Sequence, residues 1–203
     1  MLSIKGFAVV GLVVGMAGVA ASAAAQTDAS AGGLSRAQVA VGYSYMRANA
    51  APGSCGCFSL NGGNAEVGLR VYRNLSAVFD FTGEYAGTTS IAGQSLALLS
   101  YTAGPRFSYS LHRMGRVRTI PFVQALVGAV HGFDGQFPDH SGSLVTSADA
   151  LALLAGGGVD LDFGRRLGIR LVQIDYGLNQ LPNNANNNQN LLRVSAGVVL
   201  RIP

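Results

Sequence analysis

Along most of this chain, apolar residues fall on every second position. In "AQVAVGYSYM" (37–46), Val39, Val41, Tyr43 and Tyr45 share one face, while Ala40, Gly42 and Ser44 share the other. "NAEVGLRVY" (64–72) sets Ala65, Val67, Leu69 and Val71 against Glu66, Gly68, Arg70 and Tyr72. "AVFDFTGEY" (77–85) sets Ala77, Phe79, Phe81 and Tyr85 against Val78, Asp80, Thr82 and Glu84. Side chains alternate across a β-strand with a period of two, so each segment predicts a strand with one apolar and one polar face.

Five further segments continue the pattern. "LLSYTAGPRFSYS" (98–110) places Ser100, Thr102, Gly104 and Arg106 opposite Tyr101, Ala103 and Phe107. Its Pro105 offers no N–H to a ladder, which predicts a bulge or a strand end there. "PFVQALVGAV" (121–130) is the least polarised, with Phe122, Gln124, Leu126 and Gly128 opposite Val123, Ala125 and Val127. The run from Leu151 to Phe163 carries Gly156, Gly158, Asp160 and Asp162 on one face and Leu161 and Phe163 on the other. "LGIRLVQIDYG" (167–177) holds Arg170 and Asp175 five residues apart, so strict alternation separates them. Either a bulge intervenes or one of the two lies outside the layer that the strand crosses. "LLRVSAGVVLRI" (191–202) sets Arg193, Ser195, Gly197 and Arg201 against Leu192, Val194, Val198 and Leu200.

Eight strands of about ten residues match the length that a tilted strand needs to cross a bilayer. The connections alternate in length. Arg73-Asn74-Leu75-Ser76 and Gly164-Arg165-Arg166 are tight, and "LHRMGRVRT" is of medium length. "RANAAPGSCGCFSLNGG", "AGTTSIAGQS", "HGFDGQFPDHSGSLVTS" and "LNQLPNNANNNQN" are mostly longer and rich in Gly, Ser, Asn and Pro. Short turns at one end and long loops at the other are the build of a bacterial transmembrane barrel. The fold class expected is all-β: an eight-stranded antiparallel up-and-down transmembrane β-barrel with short periplasmic turns and long extracellular loops.

Composition decides which face meets lipid. Charged residues make up only 12% of the chain and mean hydropathy is +0.32, yet past residue 25 no apolar run approaches the length of a membrane helix. The polar faces alternate Gly and Ser with a few Arg and carboxylates, and the only lysine is Lys5. The surface of a small soluble domain carries far more mixed charge, about a quarter to a third of its residues. The expectation is therefore a lumenal network of Glu66, Arg70, Asp80, Glu84, Arg106, Asp160, Asp162, Arg170, Arg193 and Arg201, with Asp175 as an uncertain further member. Buried charges need partners, and an Arg fork suits a carboxylate well. The leftover cations Arg73, Arg113, Arg116, Arg118, Arg165 and Arg166 collect on the short-turn side. They sit there either facing lipid phosphates or simply because arginine suits exposed turns.

The first residues carry Lys5, then an uncharged run from Gly6 to Ala25 that ends Ala23-Ala24-Ala25. This is the anatomy of a cleaved signal peptide, residues 1–25; a membrane anchor is the alternative. An N-terminal periplasmic segment is expected at 26–36 and the outer-membrane barrel domain at 37–203. The net charge of +4 includes Lys5 and gives no nucleic-acid signal.

Cys55 and Cys57 in "APGSCGCFSL" could form a strained loop disulfide, though two thiols alone make an incomplete zinc site. A loop pair with no assigned chemistry is the plainer reading. His131 and His140 flank a loop with Asp134 and Asp139, a possible His–Asp dyad or metal site, and His112 falls in a periplasmic turn. Loop Asp and His residues are more often solvated, so no catalytic residue, cofactor or metal is expected.

The chain resembles the small bacterial outer-membrane barrels of the OmpA/OmpX-like superfamily. The resemblance covers residues 36 to 203 and is carried by "PFVQALVGAV", "GGGVDLDF", "GIRLVQIDYG" and "LLRVSAGVVLRI". It implies contact with outer-membrane lipid, and insertion by the barrel-assembly machinery with periplasmic chaperones. The function expected is a non-enzymatic outer-membrane protein, structural or surface-interacting (adhesion or envelope integrity), without a wide pore and with an unidentified extracellular ligand. The alternatives are an outer-membrane enzyme acting on lipid or peptide, and a soluble periplasmic lipocalin-like barrel.

Overall fold

The computed structural model describes residues 35–49, 57–89, 94–111, 117–138, 143–164, 166–183 and 187–202. The predicted leader at 1–25 lies outside these residues, as do Cys55, His112 and His140. Eight strands follow in chain order: β1 (Ala37–Ala48), β2 (Phe58–Tyr72), β3 (Leu75–Ala86), β4 (Leu96–Ser108), β5 (Val117–Pro138), β6 (Leu144–Phe163), β7 (Leu167–Asn179) and β8 (Gln189–Ile202). Each pairs antiparallel with its chain neighbours, and β1 closes on β8. Closure leaves no long sheet edge around the body of the barrel.

The alternation in the sequence becomes an inside and an outside. On β3, Asp80, Thr82 and Glu84 are buried while Phe79 and Tyr85 are exposed; on β8, Arg193 and Arg201 are buried while Leu192 and Leu200 are exposed. The two tight turns each place a residue at positive φ: Arg73 at 37° between β2 and β3, and Gly164 at 114° between β6 and β7. The second value lies where L side chains are strained and glycine is not.

A bulge resolves the spacing of Arg170 and Asp175. Val159 pairs with Val172 but Asp160 pairs with Arg170, which leaves one extra residue on β7. The same slip stands against β8, between Arg170↔Gly197 and Gln173↔Ser195. An extra residue inverts the parity of everything after it, so Arg170, Gln173 and Asp175 all point inward.

Pro105 corrects one expectation, because it sits inside β4 with no bulge. It pairs with Ala77 on β3, and the register to β5 is the same before it (Ala103↔Val127) as after it (Arg106↔Gln124), with only Gly104 and Pro105 unpaired on that side. A missing N–H removes a ladder bond on one side of a strand only, so one neighbour holds the strand straight.

Strands also run further into the expected loops than the turn-rich composition implied. β2 begins at Phe58, and β5 and β6 continue as a two-stranded ribbon to Pro138 and from Leu144. The last residue of β5 paired to β4 is Phe133, and Ala152 of β6 pairs with the last residue of β7, Asn179. Residues 134–138 and 144–151 therefore continue past the last pairing to β4 and β7, and the five-residue arm of β5 reaches roughly 17 Å beyond it at about 3.4 Å per residue.

Candidate functional site

The lumen has two layers. Toward the turn end it holds one hydrogen-bonded network of charges. Arg106 forks onto both carboxylate oxygens of Glu66, and Arg170 reaches the same carboxylate at 3.0 Å. Arg170 also holds Asp160 at 2.9 Å. Arg201 bridges Asp160 at 3.1 Å and Asp162 at 2.6 Å, and Arg118 closes the row on Asp162 at 2.9 Å. A second group lies nearer the loop end, where Arg193 is shared between Asp80 at 2.7 Å and Asp175 at 2.9 Å. Thr82 accepts from Arg193 at 2.6 Å and donates to Asp80 at 2.8 Å.

Two glutamines join the groups. Gln124 accepts from Arg106 Nε at 3.0 Å and donates to Asp175 at 2.9 Å. Gln173 accepts from Arg170 at 2.6 Å and donates to Asp175 at 2.7 Å. An amide can do both at once, which a carboxylate or a guanidinium cannot. The Phe122 ring lies between two cations, 4.1 Å from the Arg106 guanidinium carbon and 4.6 Å from that of Arg170. Its π-faces add attraction in a desolvated setting, where such contacts are strongest.

Toward the loop end the lumen is apolar. Met46, Leu60, Leu98, Leu126, Val130, Leu154 and Leu191 form a buried cluster with Leu96, Phe137 and Leu181. On β2, β4, β6 and β8 these side chains lie closer to the long loops than the charges on the same strand. Between the layers, beside Arg193, is a cavity large enough for about one water. An eight-stranded barrel is just wide enough for side chains to fill, and here buried side chains of both layers occupy its interior.

Of the sequence-stated charges, Glu66, Asp80, Glu84, Arg106, Asp160, Asp162, Arg170, Arg193 and Arg201 are all buried and face the lumen. Arg70 is not brought in; it is half-buried at the turn end and makes no ion pair among the described residues. Arg118, grouped by sequence with the turn cations, takes its place, because it sits directly opposite Asp162 across β5 and β6. Asp175 is fully inside. Glu84 makes no ion pair among the described residues: Ser44 donates to its Oε1 at 2.5 Å, and its Oε2 has no hydrogen-bond partner in the protein.

The His–Asp relationship differs from the one in the loop motif. His131 Nδ1 lies 2.7 Å from Asp149, its cross-strand partner, on the outer face of β5 and β6 just below the ribbon. Asp134 is at positive φ, and Asp139 lies outside the described residues. Cys57 is exposed, and a Cys55–Cys57 disulfide also falls outside what is described. No cluster of metal-ligating side chains occurs among the described residues. Sequence reading missed the joining roles of Gln124 and Gln173 and the apolar plug. The one signal for Gln124 was its parity with Phe122 and Leu126.

No protein-family model matches the chain, and no curated protein matches it. Solved structures do. Neisserial surface protein A (NspA) superposes with a TM-score of 0.55 at 19% identity, covering 83% of this chain and 98% of that one. Ail, the attachment invasion locus protein of Yersinia pestis, gives 0.50 at 15% identity, covering 83% and 99%. At such identities the fold is what is shared. That fold is the eight-stranded antiparallel barrel that the alternation in the sequence predicted.

Proposed function

We propose that this protein is a non-enzymatic integral outer-membrane barrel, structural or surface-interacting, with no wide pore. It is exported through a leader at residues 1–25, followed by a short periplasmic segment at 26–36. The observation that carries this reading is the inversion of polarity across the wall. Glu66, Asp80 and Asp175 have no solvent exposure, while Val123, Leu171 and Tyr43 are 61%, 58% and 58% exposed. Exposed apolar side chains recur on all eight strands. A soluble monomer rarely shows a contiguous apolar patch beyond a few hundred Å², whereas hydrocarbon is the natural surrounding for a closed apolar belt.

The loop-side margin of the belt supports the same reading. Tyr43, Tyr45 and Tyr176 point outward, and their hydroxyls meet Asn61 at 2.6 Å, Ser59 at 2.9 Å and Asn190 at 2.6 Å. Rings with an apolar body and a hydrogen-bonded tip suit the boundary between lipid and water. Outer-membrane lipid is then the principal partner, with the barrel-assembly machinery and periplasmic chaperones acting during biogenesis. Above the rim, the β5–β6 ribbon is the part offered to the outside, and the name of Ail, with its reference to attachment, agrees with a contact role for such a surface.

Cell fractionation with boiled and unboiled gel samples tests the reading. An outer-membrane band that migrates differently on boiling is expected. A periplasmic protein with no such shift overturns it. The enzymatic alternative has one geometric feature, the His131–Asp149 pair; an activity on lipid or peptide that His131→Ala abolishes would establish it instead.

A further inference from the structure

The two ends of the barrel differ in charge. The three turns at one end, residues 73–74, 109–116 and 164–166, hold Arg73, Arg113, Arg116, Arg165 and Arg166 and no carboxylate. The four connections at the other end, residues 49–57, 87–95, 139–143 and 180–188, span more of the chain and hold no Arg or Lys. Among the described residues the exposed carboxylates are Asp134 and Asp149, both toward the loop end. Were arginine placed only because it suits an exposed connection, the loops would hold it as well. The bias belongs to one end of the barrel, so it calls for an anionic partner at that end.

The fold gathers three exposed arginines on one arc of the turn-end rim. The Arg166 carbonyl accepts from the N–H of Arg201 at 2.7 Å, which sets it beside β8. The Arg36 carbonyl accepts from the N–H of Arg70 at 2.7 Å, which sets it beside β2. Arg73 follows in the β2–β3 turn. Because β8, β1 and β2 are consecutive in the barrel, Arg166, Arg36 and Arg73 succeed one another along the rim, all exposed. The carboxylates closest to this end of β6, Asp160 and Asp162, are buried and already held by Arg170, Arg201 and Arg118.

This arc also borders the outward apolar surface. Arg73 follows exposed Val71 and Tyr72, with its guanidinium carbon 5.3 Å from the centre of the Tyr72 ring, and Arg166 precedes exposed Leu167. Aromatic rings and cations at the edge of an apolar belt sit at the level of lipid head groups. A soluble anion could meet the arginines without touching that belt, whereas a phospholipid meets both at once.

We propose that the arc of Arg166, Arg36 and Arg73 binds the phosphates of anionic phospholipid, of the phosphatidylglycerol type, in the adjoining leaflet. Guanidinium forks suit phosphate oxygens, and each basic residue near an anionic surface favours binding by about fivefold. This rests on the outer-membrane reading above and adds which lipid charge the barrel selects, and at which end.

The purified full-length barrel, reconstituted in phosphatidylcholine vesicles, gives the test. Traces of spin-labelled phosphatidylglycerol or phosphatidylcholine report, by electron paramagnetic resonance, the fraction of each lipid immobilised against the protein. At low salt the anionic label should associate more tightly by about fivefold or more. The preference should fall toward one as ionic strength rises and screens the exposed charges. Arg73→Gln combined with Arg166→Gln and Arg36→Gln should remove most of it. Arg47→Gln, exposed near the loop end, should leave it unchanged. Should the triple variant not fold, the single changes replace it, each lowering the preference. Absence of immobilised lipid of either kind overturns the outer-membrane reading together with this one. Immobilised lipid with no preference, or a preference that survives the arginine substitutions, overturns this inference alone.

Discussion

Arg193 and Asp80 are 113 residues apart in the chain and 2.7 Å apart across the lumen. The same guanidinium is 2.9 Å from Asp175 on the neighbouring strand, so one side chain joins three strands. Removing one partner of a buried pair leaves charge uncompensated, which costs about 3–5 kcal/mol. Arg193→Met should destabilise the barrel by about that amount in urea unfolding. Adding Asp80→Asn and Asp175→Asn should recover much of the loss, since neutral amides need no counter-charge. A triple variant no more stable than Arg193→Met would show that the side chain acts through packing and not through charge.

The ring of Phe122 fills the space between Arg106 and Arg170. Leucine lacks a π-face but is also smaller, so Phe122→Leu carries a packing loss as well, and a double-mutant cycle is needed to separate the two. Desolvated contacts of this type are worth about 2 kcal/mol. The expected loss is of that order, and in a double-mutant cycle it should shrink when Arg106 is already replaced by Met, the remainder belonging to Arg170. Additive losses in the cycle would assign the effect to packing alone.

Much of the barrel was legible because one side of each strand is uniformly apolar. Asp160, Asp162, Arg193 and Arg201 alternate with Leu161, Phe163, Val194 and Leu200, and a period of two suffices to put them on one face. The plug was not legible for the converse reason. Leu126 and Leu154 look no different from Val127 and Leu153, yet the first two are buried and the second two are exposed. Hydrophobicity names the same residues for a dry lumen and for lipid.

Other features depend on groups that come together only in the closed fold. The inward position of Asp175 needs the slip at Leu171, which appears only when β6 and β8 are both in register. The ribbon continues through "HGFDGQFP" because its strands pair with each other, although Gly, Asp and Pro there read as loop. The arginine that serves each carboxylate depends on reach across the lumen. Glu66 takes Arg170 from 104 residues away, and Arg70, four positions from Glu66 in the chain, takes no part.

Leu60 is wholly buried in the plug and faces Met46 across β1 and β2. Truncation of such a leucine costs about 2–5 kcal/mol, more where the surroundings cannot collapse. A barrel wall held by a closed ladder collapses poorly, so Leu60→Ala is expected in the upper half of that range. Planar-bilayer recording supplies a second readout. The parent protein should show no steady current, and Leu60→Ala with Met46→Ala should raise the frequency of brief openings. A steady current through the parent protein would contradict a plugged lumen.

The lipid-facing assignment has its sharpest test at Val127. This residue is 53% exposed and lies between the levels of two outward aromatics: Tyr101, opposite Ala129, and Phe107, opposite Val123. It therefore sits near the middle of the apolar belt. On the surface of a soluble barrel, substitution of an exposed valine changes stability by no more than about 0.5 kcal/mol. In hydrocarbon, an arginine near the midplane costs about 2–4 kcal/mol, falling to about 0–1 near the interfaces. Val127→Arg should accordingly reduce stability in lipid vesicles by about 2–4 kcal/mol. The same change at Leu167, at the turn end of β7, should cost a kcal/mol or less on the same depth scale. Depth dependence is the informative part, because a folding defect with no relation to the bilayer would not follow the distance from its centre. Equal and small effects at both positions would mean that the belt meets water.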